Sequence, residues 1–187
     1  MSGRRSLDQA IDRVVRSGNC SGCGACTLLD SGLVMRLDAQ GYNRPVRLTA
    51  PSDSDAAAES DAVARFDAVC PGVTVSAQRP SGARRHPTMG PVIQVFEAWA
   101  TDDGIRFAGS SGGVLTAIAA WLADTGEAAR VVGATADTAE PRRTVPVRLS
   151  TREEALSLAG SRYAPVSNAS EPAASMPGTA FIGKPCE

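Results

Sequence analysis

The chain has 187 residues, and its 19 lysine and arginine residues nearly balance 20 aspartate and glutamate residues, for a formal net charge of -1 at pH 7. This balance excludes the strongly basic proteins that bind nucleic acid through charge alone, and no apolar run approaches the ~18–20 residues of a membrane span. Five cysteines are an odd number, which fits a reducing compartment better than a disulfide framework, so we expect a cytoplasmic protein.

Apolar periodicity predicts a helix, a hairpin and a second helix in the N-terminal part of the chain. The first helix covers residues 6–16 and is followed by a glycine. Residues 33–37 and 45–48 flank a glycine-containing turn, which is the layout of a β-hairpin. A second helix over about 55–69 leads directly to Cys70.

The second half of the chain alternates strands with helices. Residues 76–91 are rich in proline, glycine and arginine, and we expect 79–91 to be a linker. The expected strands are 92–100, 105–107, 131–134, 144–149 and 180–183, and the expected helices are 114–125 and 150–158. The buried face of the first of these helices is predicted to contain Val114, Leu115, Ile118, Ala119 and Leu122. This alternation predicts an α/β fold, with a mixed sheet flanked by helices.

Three cysteines at equal spacing carry the strongest chemical signal. Cys20, Cys23 and Cys26 are each separated by two residues, and Cys70 follows far downstream with a proline after it. A loop that presents three thiolates within seven residues, together with one distant cysteine before a proline, is typical of an iron–sulfur site. The spacing therefore favours a [4Fe–4S] cluster in a small ferredoxin-like module. A structural zinc ion and disulfide bonds remain as alternatives.

A second candidate site begins at residues 110–113. Ser110, Ser111, Gly112 and Gly113 lie just before the helix over 114–125, where free backbone N–H groups and the helix dipole favour an anion such as a cofactor phosphate. A plain serine N-cap with glycines in the turn is an equally good interpretation, because the pattern is neither a P-loop nor a dinucleotide fingerprint.

Two further motifs follow predicted elements. Gly160, Ser161, Arg162 and Tyr163 form one of them, and Gly183, Lys184, Pro185 and Cys186 form the other. Ligands of α/β sheets gather at such strand ends. We therefore expect these residues to approach the same ligand.

The order of these motifs resembles that of the coenzyme F420 hydrogenase/dehydrogenase beta-subunit family. Members carry a Ser-Gly-Gly-Val helix start, a Gly-Ser-Lys/Arg-Tyr segment and a Gly-x-Pro-Cys strand end. Here these motifs begin at Ser111, Gly160 and Gly183, behind a Cys-x2-Cys-Gly-x-Cys run that many members also possess. The likeness covers most of residues 18–187.

The resemblance implies a flavin and iron–sulfur oxidoreductase subunit that moves electrons between coenzyme F420, or ferredoxin, and a partner or substrate. It implies an iron–sulfur module over 1–78 and a flavin-binding domain over 92–187. The implied cofactors are FAD and a [4Fe–4S] cluster, with coenzyme F420 as a possible substrate. The implied cofactor-binding residues are Ser110, Ser111, Gly112, Gly113, Ser161, Arg162, Tyr163, Gly183 and Lys184. The alternative functions are a non-catalytic iron–sulfur electron-transfer or assembly module and a zinc-stabilised interaction domain.

The family pattern extends past the Pro-Cys motif into a C-terminal domain, whereas this sequence stops one residue after that motif. We therefore expect either a missing C-terminal domain or a partner subunit to complete the flavin pocket. Cys186 is open to three roles: a ligand of a second site, a residue lining the flavin, or a buried thiol. Base rates favour the buried thiol.

Overall fold

The computed structural model describes residues 5–50, 56–76 and 78–184. The helices in this part of the chain are α1 (Leu7–Arg16), α2 (Ala56–Val69), α3 (Asp103–Ala108), α4 (Val114–Thr125) and α5 (Arg152–Ser157). The strands are β1 (Leu33–Leu37), β2 (Asn43–Arg47), β3 (Arg84–His86), β4 (Gly90–Val92), β5 (Arg130–Ala136), β6 (Thr144–Leu149) and β7 (Thr179–Phe181). Short 3-10 helices cover Ala25–Leu28, Ser111–Gly113, Asn168–Ser170 and Pro172–Ser175.

The N-terminal part contains the predicted helix, hairpin and second helix as α1, β1–β2 and α2, and these elements pack against one another. A capping box starts α1: the Ser6 side chain accepts the N–H of Gln9, and the Gln9 side chain accepts the N–H of Ser6. One apolar cluster holds these elements together: α1 contributes four of its buried residues, and β1 and α2 contribute one each. Its buried members are Leu7, Ala10, Ile11, Val14, Leu33 and Phe66.

A salt-bridge network also joins these elements. Arg47, at the end of β2, contacts Asp8 of α1 with an N–O distance of 2.6 Å and Asp30 with one of 2.9 Å. The hydrogen bond from Arg47 is the main reason that the pKa of Asp30 lies below its usual range. One guanidinium therefore ties the first helix, the hairpin and the turn before it.

The C-terminal part is built on a three-stranded mixed sheet with the order β6-β5-β7. Strand β5 runs antiparallel to β6 and parallel to β7, and α4 and α5 pack against each other beside it. The buried members of its core are Ala119, Ala120, Val131, Leu149 and Ala155. The predicted α/β fold class with a mixed sheet and flanking helices is confirmed.

The predicted strands over 92–100 and 105–107 are wrong. In this described region the only strand that reaches residue 92 is β4 (Gly90–Val92), which pairs with β3. The predicted linker over 79–91 therefore contains a small hairpin. Residues 105–107 belong to α3 because the Oδ1 of Asp102 accepts the N–H of Ile105 at 3.0 Å and caps that helix. A local cap overrides the β preference of the apolar residues here.

The predicted buried face of α4 is also only partly correct. Ala119 and Ala120 are 2% and 0% exposed, whereas Leu115 and Ile118 are 61% and 46% exposed. The helix thus turns its small residues toward the core, because alanine lets α4 approach its neighbours closely. No helix within the described ranges combines the length and apolarity that crossing a bilayer requires.

Candidate functional site

Four cysteines from two distant segments line one pocket in the N-terminal part. Cys20, Cys23 and Cys26 come from the loop after α1, and Cys70 comes from the residue that follows α2. All four are free thiols. The other residues of this cysteine pocket are Ile11, Val14, Val15, Ser21, Gly22, Gly24, Ala25, Met35, Pro45, Phe66, Val69 and Pro71, none of which carries a charge.

Local backbone structure explains how the cysteines are presented. Cys26 lies in the 3-10 helix Ala25–Leu28, and Gly24 precedes it in the left-handed region with a φ of 91°. The N–H of Cys70 donates to the carbonyl of Phe66 at 2.9 Å, so Cys70 continues the last turn of α2. Helix α2 therefore delivers the fourth thiol to the loop that holds the other three.

The pocket penalises negative charge on its thiols. Burial, followed by the proximity of Cys23, Cys20 and Cys70, raises the pKa of Cys26 to about 12. Burial is also the first cause that raises the pKa of Cys70. Four thiolates can coexist here only if a cation compensates them, because neighbouring like charges in an apolar site disfavour ionisation.

The positively charged side chain of Arg44 lies close to the cysteine loop. The Nη1 of Arg44 donates to the carbonyl of Cys20 at 2.9 Å, and its guanidinium carbon lies 5.1 Å from the centre of the Tyr42 ring.

Among the described residues, no group of three or more His, Cys, Asp or Glu side chains is placed as the ligand set of a single metal ion. The four thiols thus share a pocket without converging on one ion position.

A second cavity lies in the C-terminal part beside α4 and β5, with a volume of about 310 Å³. Its walls are mainly apolar, and Arg162 and Lys184 add positive charge. The residues that line it are Leu115, Thr116, Ala119, Gly133, Ala134, Leu149, Ala155, Leu158, Gly160, Arg162, Ala164, Val166, Asn168, Ile182, Gly183 and Lys184. The structure thus brings Arg162, Gly183 and Lys184 together, as the motifs led us to expect.

Arg162 is held by neutral oxygens. Its Nη2 donates to the carbonyl of Pro141 at 2.7 Å and to that of Arg143 at 3.1 Å, and its Nε donates to Thr144 at 3.3 Å. None of these partners is a carboxylate, so they orient the guanidinium without neutralising it. The charge of Arg162 is therefore able to attract an anion.

The other predicted residues are placed differently. Ser161 and Tyr163 do not line the cavity, and the Tyr163 side chain is 97% exposed. Residues 110–113 precede the cavity-lining Leu115 and Thr116 along the chain, but do not line the cavity themselves. Pro185 and Cys186 lie outside the described residues.

Residues 110–113 form a tight left-handed turn. Ser111, Gly112 and Gly113 have φ values of 51°, 71° and 71°. A Cβ on Gly112 would lie 3.0 Å from the Cβ of Trp99, and one on Gly113 would lie 2.7 Å from the carbonyl oxygen of Ile105. Both glycines are thus required by close packing within the protein, which is the structural alternative to a role in phosphate binding.

One segment lies between the cysteine loop and the second cavity, and sequence reasoning missed it. The hydroxyl of Ser167 donates to the carbonyl of Gly22 at 2.7 Å in a buried hydrogen bond. Asn168 lines the second cavity and is 4% exposed, and its Nδ2 donates to the carbonyl of Ile182 at 3.1 Å. The Oδ1 of Asn168 is buried and accepts no hydrogen bond within the described part of the chain.

The signal that could have found this segment is weak. Ser167 and Asn168 stand in a stretch of small and polar residues without strong periodicity, which is the usual composition of a loop. Only the burial of both polar side chains distinguishes them, because buried polar groups normally serve a specific contact.

Comparison with known families gives a match over residues 95–171. These residues match the model of the coenzyme F420 hydrogenase/dehydrogenase beta subunit, N-terminal part. Residues 95–171 are therefore similar to this family. The matched segment covers less than half of the chain and contains residues 110–113, residues 160–163 and Asn168.

The family match supports a redox role of the beta-subunit kind, and a subunit family implies a partner subunit. The cysteine loop, Cys70 and Lys184 lie outside the matched range. No curated protein matches the chain.

Proposed function

We propose that the chain is a flavin and iron–sulfur electron-transfer subunit. It would hold a [4Fe–4S] cluster through Cys20, Cys23, Cys26 and Cys70, and FAD in the second cavity. The single observation that carries this proposal is the meeting of four cysteines from two distant segments in one uncharged pocket. A redox partner subunit or ferredoxin would supply or accept electrons, and coenzyme F420 is the proposed hydride-exchanging substrate.

The cysteine pocket suits a cluster for an electrostatic reason. Burial and mutual repulsion raise the pKa of Cys26 to about 12. A bound group that carries positive charge, such as the iron of a cluster, would therefore stabilise the thiolate forms of these cysteines most. The cationic side chain of Arg44 adds a hydrogen bond to the loop at the carbonyl of Cys20. A reactive catalytic cysteine would instead have a depressed pKa beside a basic group, which this pocket does not provide among its lining residues.

The second cavity suits a cofactor that has an apolar ring system and an anionic part. Its volume of about 310 Å³ is at the lower end of the range for small-molecule sites, and its walls combine apolar side chains with a few polar groups. Arg162 and Lys184 would attract the negative charge. The Oδ1 of Asn168 would accept an N–H or O–H of the ligand, which would remove the cost of a buried acceptor without a donor.

The phosphate-binding role of residues 110–113 remains part of the proposal. Leu115 and Thr116 line the cavity in the first turn of α4, so this turn brings the loop close to the cavity along the chain. An extended dinucleotide could place its ring system in the cavity and its phosphates near the helix start. Ser161, Tyr163 and Gly183 complete the proposed cofactor-binding set.

A bound flavin would exchange electrons in pairs with the deazaflavin coenzyme and singly with the cluster, so it would connect hydride chemistry to one-electron partners. The protein's own contribution is to hold and shield the two groups. The cysteine pocket would surround the cluster with uncharged, mainly apolar residues, and Arg162 would place a positive charge at the second cavity.

A binding measurement tests the flavin part of this proposal. The chain is purified without oxygen, and the quenching of FAD fluorescence is measured for the unchanged protein, Arg162→Gln and the control Arg148→Gln. Arg148 lies on β6, but its guanidinium contacts Glu171 at 3.4 Å and does not line the cavity. We expect Arg162→Gln to weaken FAD binding about tenfold or more, as removal of a charge-assisted contact does. Because a missing domain or a partner is expected to complete the flavin pocket, we expect the unchanged chain to bind FAD weakly. Equal affinities in all three proteins, or no quenching even at the highest FAD concentration, would contradict the proposal and favour a cluster-only module.

A further inference from the structure

Residues 166–170, which we call the shared wall, contact the cysteine loop on one side. The Ser167 hydroxyl donates to Gly22, whose carbonyl belongs to the peptide bond that leads into Cys23. Gly24 lies so close to the wall that an added Cβ would come within 2.7 Å of the Cβ of Ser170 and within 3.0 Å of the Cβ of Ser167. The wall therefore fixes the backbone between the first three cysteines.

The opposite side of the shared wall faces the second cavity. Val166 and Asn168 line that cavity, and Asn168 ties the wall to Ile182 just after β7. Both residues are buried, with exposures of 8% and 4%. Neighbouring residues of one short segment thus serve the two candidate sites alternately.

We propose that Ser167 is a positioning residue for the cysteine loop, and that a ligand in the second cavity strengthens this role by ordering Asn168 and the shared wall. A ligand in the cavity then slows the loss of a cluster from the four cysteines. This inference rests on the proposed function, because it takes FAD as the cavity ligand and a [4Fe–4S] cluster as the group in the cysteine pocket.

The physical reason is linkage between two sites that share one element. Loss of a cluster requires the cysteine loop to open, and opening at Gly22 breaks the buried hydrogen bond from Ser167. A ligand that binds better when Asn168 and its neighbours are ordered adds to the free energy needed for that opening. By reciprocity, a loaded cysteine pocket should strengthen binding in the second cavity.

The test compares rates of cluster loss. The chain with its cluster is exposed without oxygen to a ferrous-iron chelator, with and without FAD, and the visible absorbance of the cluster is followed. The variant is Ser167→Ala and the matched control is Ser175→Ala, since the Ser175 hydroxyl is exposed and bonds only to the nearby carbonyl of Pro172. In the unchanged chain and the control, FAD should slow cluster loss about fivefold or more, within the usual range of coupling between sites.

In Ser167→Ala, two changes are expected. Cluster loss without FAD should be roughly tenfold faster, because one buried carbonyl loses its donor. The protection by FAD should also disappear, while FAD still binds as judged by fluorescence quenching. Full protection by FAD in this variant would overturn the proposal.

A measurement on the unchanged chain does not depend on how well the variant folds. Hydrogen–deuterium exchange of the cluster-loaded protein should slow on addition of FAD both in residues 166–170 and in residues 20–26. Exchange in the β3–β4 hairpin, which lines neither the cysteine pocket nor the second cavity, should stay the same. Protection confined to the cavity, with no change in residues 20–26, would show that FAD binds but that the wall does not couple the sites. Absence of FAD binding would instead refute the proposed function, and this inference with it.

Discussion

Replacement of Arg47 by methionine should destabilise the N-terminal part and, with it, the scaffold of the cysteine pocket. Arg47 is the only basic partner within the described residues that bonds to both Asp8 and Asp30. Its side chain is 19% exposed, and its Nε also donates to Asp8 at 2.8 Å. Methionine keeps most of the apolar stem but removes the charge and every one of these donors.

The size of the effect follows from the exposure of each partner. The Asp8 side chain is 43% exposed, so solvent screens its ion pair with Arg47. This pair therefore contributes at most about 1 kcal/mol to the free energy of unfolding. The Asp30 side chain is 24% exposed, and loss of its charge-assisted hydrogen bond costs about 1.5–3 kcal/mol. We expect the free energy of unfolding to fall by about 2–4 kcal/mol, or about 4–16 °C in melting temperature for a chain of this size.

The assay is thermal unfolding followed by circular dichroism under fixed cofactor loading. The control is Arg16→Met, because the Arg16–Asp12 pair has an N–O distance of 2.5 Å but side chains that are 74% and 54% exposed. That variant should change the melting temperature by about 1–2 °C at most. If Arg47→Met destabilises the chain no more than Arg16→Met, then the network around Arg47 does not hold the hairpin to α1.

Two further predictions follow from local structure. Arg47 lowers the pKa of Asp30, so the stability that ionised Asp30 contributes is present above about pH 4 and is lost as the pH falls through the folded pKa. The deficit of Asp30→Asn in melting temperature should therefore shrink below about pH 4, and a deficit that stays constant would refute this cause. Gly113→Ala should cost more free energy of unfolding than Gly126→Ala, by about 1 kcal/mol or more, since both glycines have φ near 70° but only Gly113 would place a Cβ against a backbone oxygen. Equal melting temperatures of these two variants would contradict the packing explanation.

Long periodic elements could be predicted from the sequence because their signals are local. The capping boxes at Ser6 and Thr151 start α1 and α5, and each bonds residues three positions apart. Gly126 ends α4 in the left-handed conformation, as the sequence predicted. These elements depend on residues three or four positions apart, so their boundaries lie within two residues of the predicted ones.

The region after β4 could not be predicted as well because tertiary packing decides it. Residues 93–100 have the composition of a strand, but the described structure gives them no pairing partner. Strand formation needs a neighbouring strand, and no local pattern tells whether one is available. The exposure of Leu115 and Ile118 has a similar origin, because the neighbours of α4 determine which of its faces is covered.

In the candidate sites, too, the features set by local spacing could be predicted from the sequence, and the features set by tertiary contacts could not. Cysteine spacing placed Cys20, Cys23, Cys26 and Cys70 in one group, and the structure brings them to one pocket. The contact between Ser167 and Gly22 joins residues 145 positions apart, so no local pattern announces it. Asn168 was missed for the same reason. Polar residues in a loop acquire meaning only once their burial and partners are known.

Iron and sulfide analysis of the chain purified without oxygen, combined with electron paramagnetic resonance after reduction, tests the central claim most directly. The account predicts about four iron and four sulfide per chain and the signal of a reduced [4Fe–4S] cluster. Serine at Cys20, Cys23, Cys26 or Cys70 should abolish both, whereas Cys186→Ser should not. One tightly held zinc ion with no iron or sulfide, or equal loss of iron in all five variants, would contradict it.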